Sequence, residues 1–172
     1  MASGGLDPSA KPPRSGVINS AAYCNGVRVA DVPLPDLGDA WRYSDRFIWV
    51  GLYEPSEQVL SHIQEAFGLH DLAIEDAHQA HQRPKLEIYD DSMFVVLRTA
   101  RLADGGEHRI EFGETHVFLG PRYFISVRHG SLKSHVGLRA RCEAAPSHLA
   151  EGEGFVLHLS LIHISEPTRL RR

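Results

Sequence analysis

Apolar residues in this chain follow two rhythms, a period near two and a period near 3.6, and the changes between them mark the elements. Val17 to Tyr23 and Val27 to Val32 read as two short strands. Asn25-Gly26 joins them and predicts a tight hairpin turn, because type I′ turns need positive φ at both central positions. Pro33, Pro35 and Gly38 break the pattern, and Trp41 to Arg46 is expected to connect onward. Phe47 to Tyr53 then runs Phe-Ile-Trp-Val-Gly-Leu-Tyr with no polar alternation, so both faces of this strand should be covered, as in a central strand. Pro55 is pre-set for a helix start, and Val59, Leu60, Ile63 and Phe67 form one helical stripe that Gly68 should end in the left-handed conformation. A shorter helix is expected from His70 to about His78.

Lys85 to Tyr89 follows Pro84 as a strand, and Asp90-Asp91-Ser92 predicts a turn. Met93 to Leu102 is the most apolar strand, and Asp104-Gly105-Gly106 predicts a second hairpin turn. Ile110 to Leu119 and Tyr123 to Arg128 meet at Gly120-Pro121. In the latter, alternation of Tyr123, Ile125 and Val127 with Phe124, Ser126 and Arg128 predicts one more exposed face. Leu132 to about Ala145 should be helical, Pro146-Ser147 should interrupt, and a further helix should start near Glu151. Hairpins early and late, with a strand-helix-helix-strand passage between, predict an α/β (α+β) domain whose mixed parallel/antiparallel sheet is flanked by helices. No internal repeat is visible.

Leu159 to Arg169 is unlike what precedes it. The Ile162-His163-Ile164 alternation is strand-like, and Pro167 would end a helix begun at Glu151. The same string resembles the translation of a transposon-type sequencing adapter. The expected organisation is therefore a disordered lead (1–16), one domain (17–158) and a non-native tail (159–172), the rival reading of the tail being a basic segment that docks on anionic lipid.

The chain has 172 residues, 42% of them hydrophobic, enough for one packed core. Its formal charge is −4; the last fourteen residues carry a net +2, which leaves −6 on the rest. A mildly acidic domain suits a cation partner better than nucleic acid. Cys24 and Cys142 stand far apart without a CxxC pattern and read as free thiols. No apolar run of about 18 residues is present, and residues 1–16 lack the apolar centre of a secretory signal.

Glu75 and Asp76 are adjacent acids near the end of the short helix. Helix neighbours point about 100° apart, so the pair cannot easily chelate one ion alone. With waters and a second chain they would suit a hard cation such as Mg²⁺, which often takes only one or two carboxylates; the alternative is a solvated helix end. His70, His78 and His81 lack an added Cys or acid at zinc-site spacing and read as surface imidazoles. Arg83-Pro84-Lys85 with Glu87 is either a phosphate patch or the end of a strand with cross-strand partners. Asp90 and Asp91 read as turn formers. No nucleophile elbow, P-loop or dinucleotide fingerprint occurs, so no enzyme is expected.

Trp49-Val50, Leu72-Ala-Ile-Glu-Asp76, His81-Gln-Arg-Pro-Lys85 leading into Glu87, Tyr89 and Asp90, Met93-Phe-Val-Val-Leu97, and Val117 to Gly120 followed by Tyr123 to Arg128 together resemble the cytoplasmic domain of the CorA family of divalent-cation channels. The resemblance covers about Val17 to His158. It implies a Mg²⁺-sensing, gating domain of a transporter of Mg²⁺ or Co²⁺, working as a homopentamer in the cell (inner) membrane with this domain in the cytoplasm. The long stalk helix, the two spans and their Gly-Met-Asn signature would lie C-terminal to the present sequence. It also implies that Asp76 holds a regulatory Mg²⁺ between neighbouring subunits with Glu75 beside it, a site weak or absent in this chain by itself because the partner acids come from later helices. A zinc-transporting relative of the same plan and a stand-alone soluble metal-sensing module are the alternatives.

Overall fold

The first hairpin forms where the turn chemistry places it. In a computed structural model, which describes residues 16–43, 45–102, 110–130 and 135–165, β1 (Gly16–Cys24) and β2 (Val27–Asp31) pair antiparallel. Asn25 and Gly26 have φ of 49° and 76°, both left-handed as a type I′ turn requires. Gly26 has a second reason to be glycine: a Cβ there would overlap the carbonyl of Pro146, so the hairpin tip packs directly on backbone.

The apolar run Phe47–Tyr53 is β3, which lies at the middle of the sheet. Five further elements separate it from β7 (Tyr123–His129): α2 (Glu57–Phe67), α3 (Asp71–His78), β4 (Lys85–Tyr89), β5 (Ser92–Leu102) and β6 (Ile110–Gly120). The seven strands order as β2-β1-β3-β7-β6-β5-β4. Only β3 and β7 pair parallel; the other five neighbouring pairs are antiparallel. This is the mixed sheet of an α+β domain. The Asp104-Gly105-Gly106 turn lies outside the described residues.

Each face of the sheet carries its own core. Ile48, Val50, Leu52, Phe94, Val96, Ile125 and Val127 pack beneath α2, α3 and α1 (Leu37–Arg42). Trp49, Val117, Leu119 and Phe124 pack beneath α4 (Val136–Glu143), α5 (Pro146–Leu149) and α6 (Glu153–Ser165). Because β7 is flanked by β3 and β6 and roofed on both sides, all seven of its residues are buried. This corrects the expectation of one exposed face: alternation of residue types in β7 separates two cores, not core from solvent.

Ser56 caps α2 by accepting from the Val59 amide at 3.4 Å, and Gly68 ends the helix at φ 65°. His70 Nδ1 accepts from the Leu72 amide at 3.3 Å and caps α3. Two other expectations change. The stretch with Pro33, Pro35 and Gly38 is not a simple break: a 3-10 turn (Leu34–Asp36) leads into α1, where fully buried Leu37 anchors it and Trp41 packs on Phe67 and Tyr123. Proline is tolerated there because first-turn amides need no helical partner. The helix begun at Glu153 is not interrupted at Leu159. It continues to Ser165, with the buried Ser160 hydroxyl donating to the Val156 carbonyl at 2.7 Å. Three alternating residues are too few to impose strand geometry on a helix already packed on a sheet. Pro167 lies outside the described residues, as do residues 132–134 of the helix expected from Leu132. Among the described residues, no helix is long and apolar enough to cross a membrane.

Candidate functional site

Strand period two builds one polar face. In β4, Leu86 and Ile88 are exposed, whereas Lys85, Glu87 and Tyr89 lie on the face shared with α3. Lys85 Nζ donates to Asp76 Oδ2 at 2.5 Å and to Glu87 Oε1 at 3.0 Å. The Tyr89 hydroxyl donates to Glu87 Oε2 at 2.8 Å, and the His70 ring stacks on Tyr89 with centroids 4.1 Å apart. A chain of contacts thus runs from the start of α3, across the edge strand, to its last turn.

The charges on this face support one another. The hydrogen bond to Asp76 holds the Lys85 ammonium above its ordinary range. Glu87 is held below the usual carboxylate range, first by the Tyr89 hydroxyl and then by Lys85. Burial, reinforced by the Glu87 carboxylate, pushes the Tyr89 hydroxyl up. Asp76 therefore already grips a cation, and that cation belongs to the protein.

Beneath this face lies a polar layer that period and motif did not single out. The last turn of α3 is tied to β7 by His129 Nε2, which donates to the Ala77 carbonyl at 2.8 Å. His129 Nδ1 lies 3.1 Å from Glu54 Oε2, and Glu54 Oε1 accepts from the Gly130 amide at 2.7 Å. Burial opposes ionisation of Glu54, but the Gly130 amide and His129 outweigh it and hold the carboxyl low. Glu114 accepts from the Gln82 amide at 3.2 Å and sits 3.1 Å from His116 Nε2. The fully buried His116 is shifted down by burial. The visible signal was polar residues inside apolar strands, Glu114-Thr115-His116 and Arg128-His129.

Of the sequence candidates, Asp76 is half-buried on this face and Glu75 beside it is exposed. His70 joins the face through Tyr89; His78 is half-buried and His81 exposed at φ 78°. Asp90 occupies a left-handed turn position at φ 52°. Both cysteines are free thiols, Cys24 exposed and Cys142 buried. Among the described residues no three His, Cys, Asp or Glu side chains converge as a metal-binding group. Among the described residues this face presents a pair of neighbouring carboxylates, a donor set that fits part of a hard-cation shell and not a closed transition-metal site.

Comparison with known proteins bears on the identity of this face. Residues 44–165 match the model of a family described as CorA-like Mg²⁺ transporter protein. The YfjQ protein of Bacillus subtilis (strain 168) is 28% identical over 133 residues, 77% of this chain and 38% of its own length. The cobalt/magnesium transport protein CorA of Thermotoga maritima is 34% identical over 61 residues, 36% of this chain and 17% of its own. The chain thus spans well under half the length of these relatives. Among solved structures, the soluble domain of CorA from Methanocaldococcus jannaschii superposes with a TM-score of 0.60 at 16% identity, over 87% of this chain and 56% of that one. The cytoplasmic domain of ZntB from Vibrio parahaemolyticus gives a TM-score of 0.61 at 10% identity, over 88% and 58%. At these identities the likeness is one of fold.

Proposed function

The chain belongs to the family of CorA-like Mg²⁺ transporter proteins, and from that premise we propose that it is the cytoplasmic, Mg²⁺-sensing domain of a membrane transporter of divalent cations. The pore-forming segments are carried by sequence beyond the residues described. The observation that supports this reading most is the pair of adjacent acids in the last turn of α3, exposed Glu75 beside half-buried Asp76, whose carboxylate already holds one cation, the Lys85 ammonium at 2.5 Å, with which a metal ion would compete.

Asp76 would hold the ion directly, and Glu75, one residue before it, would contribute through water. The rest of the shell would come from acids of a neighbouring subunit in a homo-oligomer, a pentamer in this reading. When bound, the ion supplies two positive charges between facing acidic surfaces. The protein's own part is to fix the Asp76 end of α3. The His129–Ala77 and His129–Glu54 contacts do so by fastening that helix end to the centre of the sheet. With the ion, acidic faces of adjacent subunits are held together; without it, like charges repel and the ring loosens. Gating follows if the closed arrangement binds the ion better than the open one, since a ligand shifts an equilibrium only by its differential affinity.

A zinc-transporting relative of the same plan, the alternative the sequence resemblance leaves open, is the second candidate reading. The test is flux of Mg²⁺, Co²⁺ and Zn²⁺ into lipid vesicles carrying the full-length protein. Mg²⁺ or Co²⁺ entry that falls as Mg²⁺ on the sensor side rises agrees with the proposal. Flux insensitive to sensor-side Mg²⁺, or no cation flux at all, contradicts it.

A further inference from the structure

The tip of the β1–β2 hairpin carries chemistry that the sensor reading does not use. Two structural demands fix its residues. Positive φ at both central positions of a type I′ turn selects Asn25 and Gly26, at 49° and 76°. Contact with the Pro146 carbonyl excludes a Cβ at the second position. The outcome is an asparagine followed by the one residue whose backbone nitrogen no side chain shields.

The chain has two asparagines, and the fold treats them oppositely. Asn19 lies inside β1 opposite Gly51 of β3, is half-buried, and its Oδ1 accepts from Arg28 at 3.3 Å. Ser20, which follows it, is also in β1 and pairs with Val50. Asn25 lies outside both strands with its side chain exposed, and among the described residues that side chain makes no hydrogen bond. The Gly26 amide likewise donates to no described residue. Gly26 is buried against Pro146, so a reaction at its nitrogen waits on local opening of the tip. That opening breaks no hydrogen bond of Gly26 itself. The adjoining β2 is an edge strand of five residues, the kind of element that opens at a free energy below that of global unfolding.

We propose that Asn25 is a site of spontaneous deamidation, and that its isoaspartate product unseats the hairpin tip from α5. In the opened tip the Gly26 backbone nitrogen attacks Asn25 Cγ. A C–N bond forms, the Cγ–Nδ2 bond breaks, and ammonia leaves with the proton of the Gly26 amide. Water then opens the cyclic imide. Opening at Cγ leaves aspartate; opening at the Asn25 backbone carbonyl leaves isoaspartate, whose main chain runs through Cβ and Cγ. Aspartate suits the same left-handed turn position. Isoaspartate adds a carbon to the main chain, and a tip already resting on the Pro146 backbone has no room for it. Pro146 begins α5, whose Leu149 is buried in the core beneath α4 and α6, so the displacement reaches that core.

The test is peptide mapping of the chain kept for several weeks in mildly alkaline buffer. Both asparagines fall in one tryptic peptide, Ser15 to Arg28, so Asn19 is an internal control. Asn25 should gain a carboxyl in place of its amide, with a fraction labelled by isoaspartyl methyltransferase, while Asn19 stays intact. The aged protein should melt about 3 °C or more below the fresh protein. Freshly prepared Asn25→Asp should melt within about 1 °C of wild type, which separates the added carbon from the added charge. Asn25→Gly accepts the same backbone, has no side chain to react, and should keep its melting point over the same weeks. The proposal is overturned if Asn25 converts no faster than Asn19, or if isoaspartate accumulates there without lowering the melting point. A fall of the same size in aged Asn25→Gly overturns it as well.

Discussion

Replacing Lys85 with methionine isolates the role of the protein's own cation at Asp76. Methionine keeps an unbranched apolar stem of similar reach, so the packing of Lys85 beside the Phe94 ring is largely preserved while the charge goes. In the wild type a divalent ion on the same carboxylate would lie roughly 4–5 Å from the Lys85 ammonium. Unit charges about 4 Å apart interact by about 1 kcal/mol in water, so a divalent ion meets about 2 kcal/mol of repulsion. Lys85 and Asp76 side chains are 30% and 24% exposed, which places the pair near the aqueous limit. Screening at physiological salt, with a Debye length of about 8 Å, brings the figure to about 1 kcal/mol. At about 1.4 kcal/mol per decade the variant should bind Mg²⁺ about 5- to 30-fold more tightly. The assay is thermal unfolding across a MgCl₂ series at constant ionic strength. Without Mg²⁺ the variant should melt lower than wild type, because two acids, Asp76 and Glu87, lose their neighbouring cation. As Mg²⁺ rises, stabilisation follows RT ln(1 + [Mg²⁺]/Kd), and its midpoint should fall at lower concentration in the variant. Equal midpoints in two folded proteins would refute the idea that Lys85 and the metal compete for one carboxylate.

Other consequences are as direct. Gly26→Ala should lower the unfolding free energy measured by urea titration by about 1–2 kcal/mol from the left-handed backbone alone, and further through overlap with the Pro146 carbonyl; an unchanged free energy would show that the hairpin tip does not rest there. Acid should destabilise the fold before the carboxylates titrate. His135 and His116 have folded values below the ordinary histidine value, so their stabilising contribution is complete above about pH 6.5 and is lost as pH falls toward the folded values. For His135 that window reaches down to about 3. Melting temperature should therefore fall steadily from pH 7 to pH 5, and His135→Leu should flatten the fall; a maximum at pH 5 would contradict this. Glu54 and Glu87, both held low, add a further loss below the ordinary carboxylate range of about 4.5.

The residues differ in how plainly their sequence context announced their place. Asn25-Gly26 and Gly68 were legible because positive φ leaves few residue choices. Phe47–Tyr53 was legible because an uninterrupted apolar run needs cover on both sides. β7 misled because alternation records two different neighbours, and a single sequence does not say whether one of them is water. The stretch from Leu159 to Ser165 misled on one point, the interruption of the helix, because a short strand-like alternation was weighed without the sheet on which α6 packs. At the site, Asp76 and Glu75 were found as adjacent acids. Lys85, nine residues from Asp76, becomes its partner only when β4 folds beside α3. Glu54, Glu114, His116 and His129 meet across strands far apart in sequence, and no spacing rule brings them together.

The central claim is that Asp76, at the end of α3, takes a divalent cation that steadies the assembled transporter. Limited proteolysis of the full-length protein across a millimolar MgCl₂ titration tests it most directly, wild type against Asp76→Ala. Wild type should gain protection as Mg²⁺ rises, and the variant should need at least about tenfold more Mg²⁺ for the same protection. Identical protection curves for the two proteins would contradict the claim.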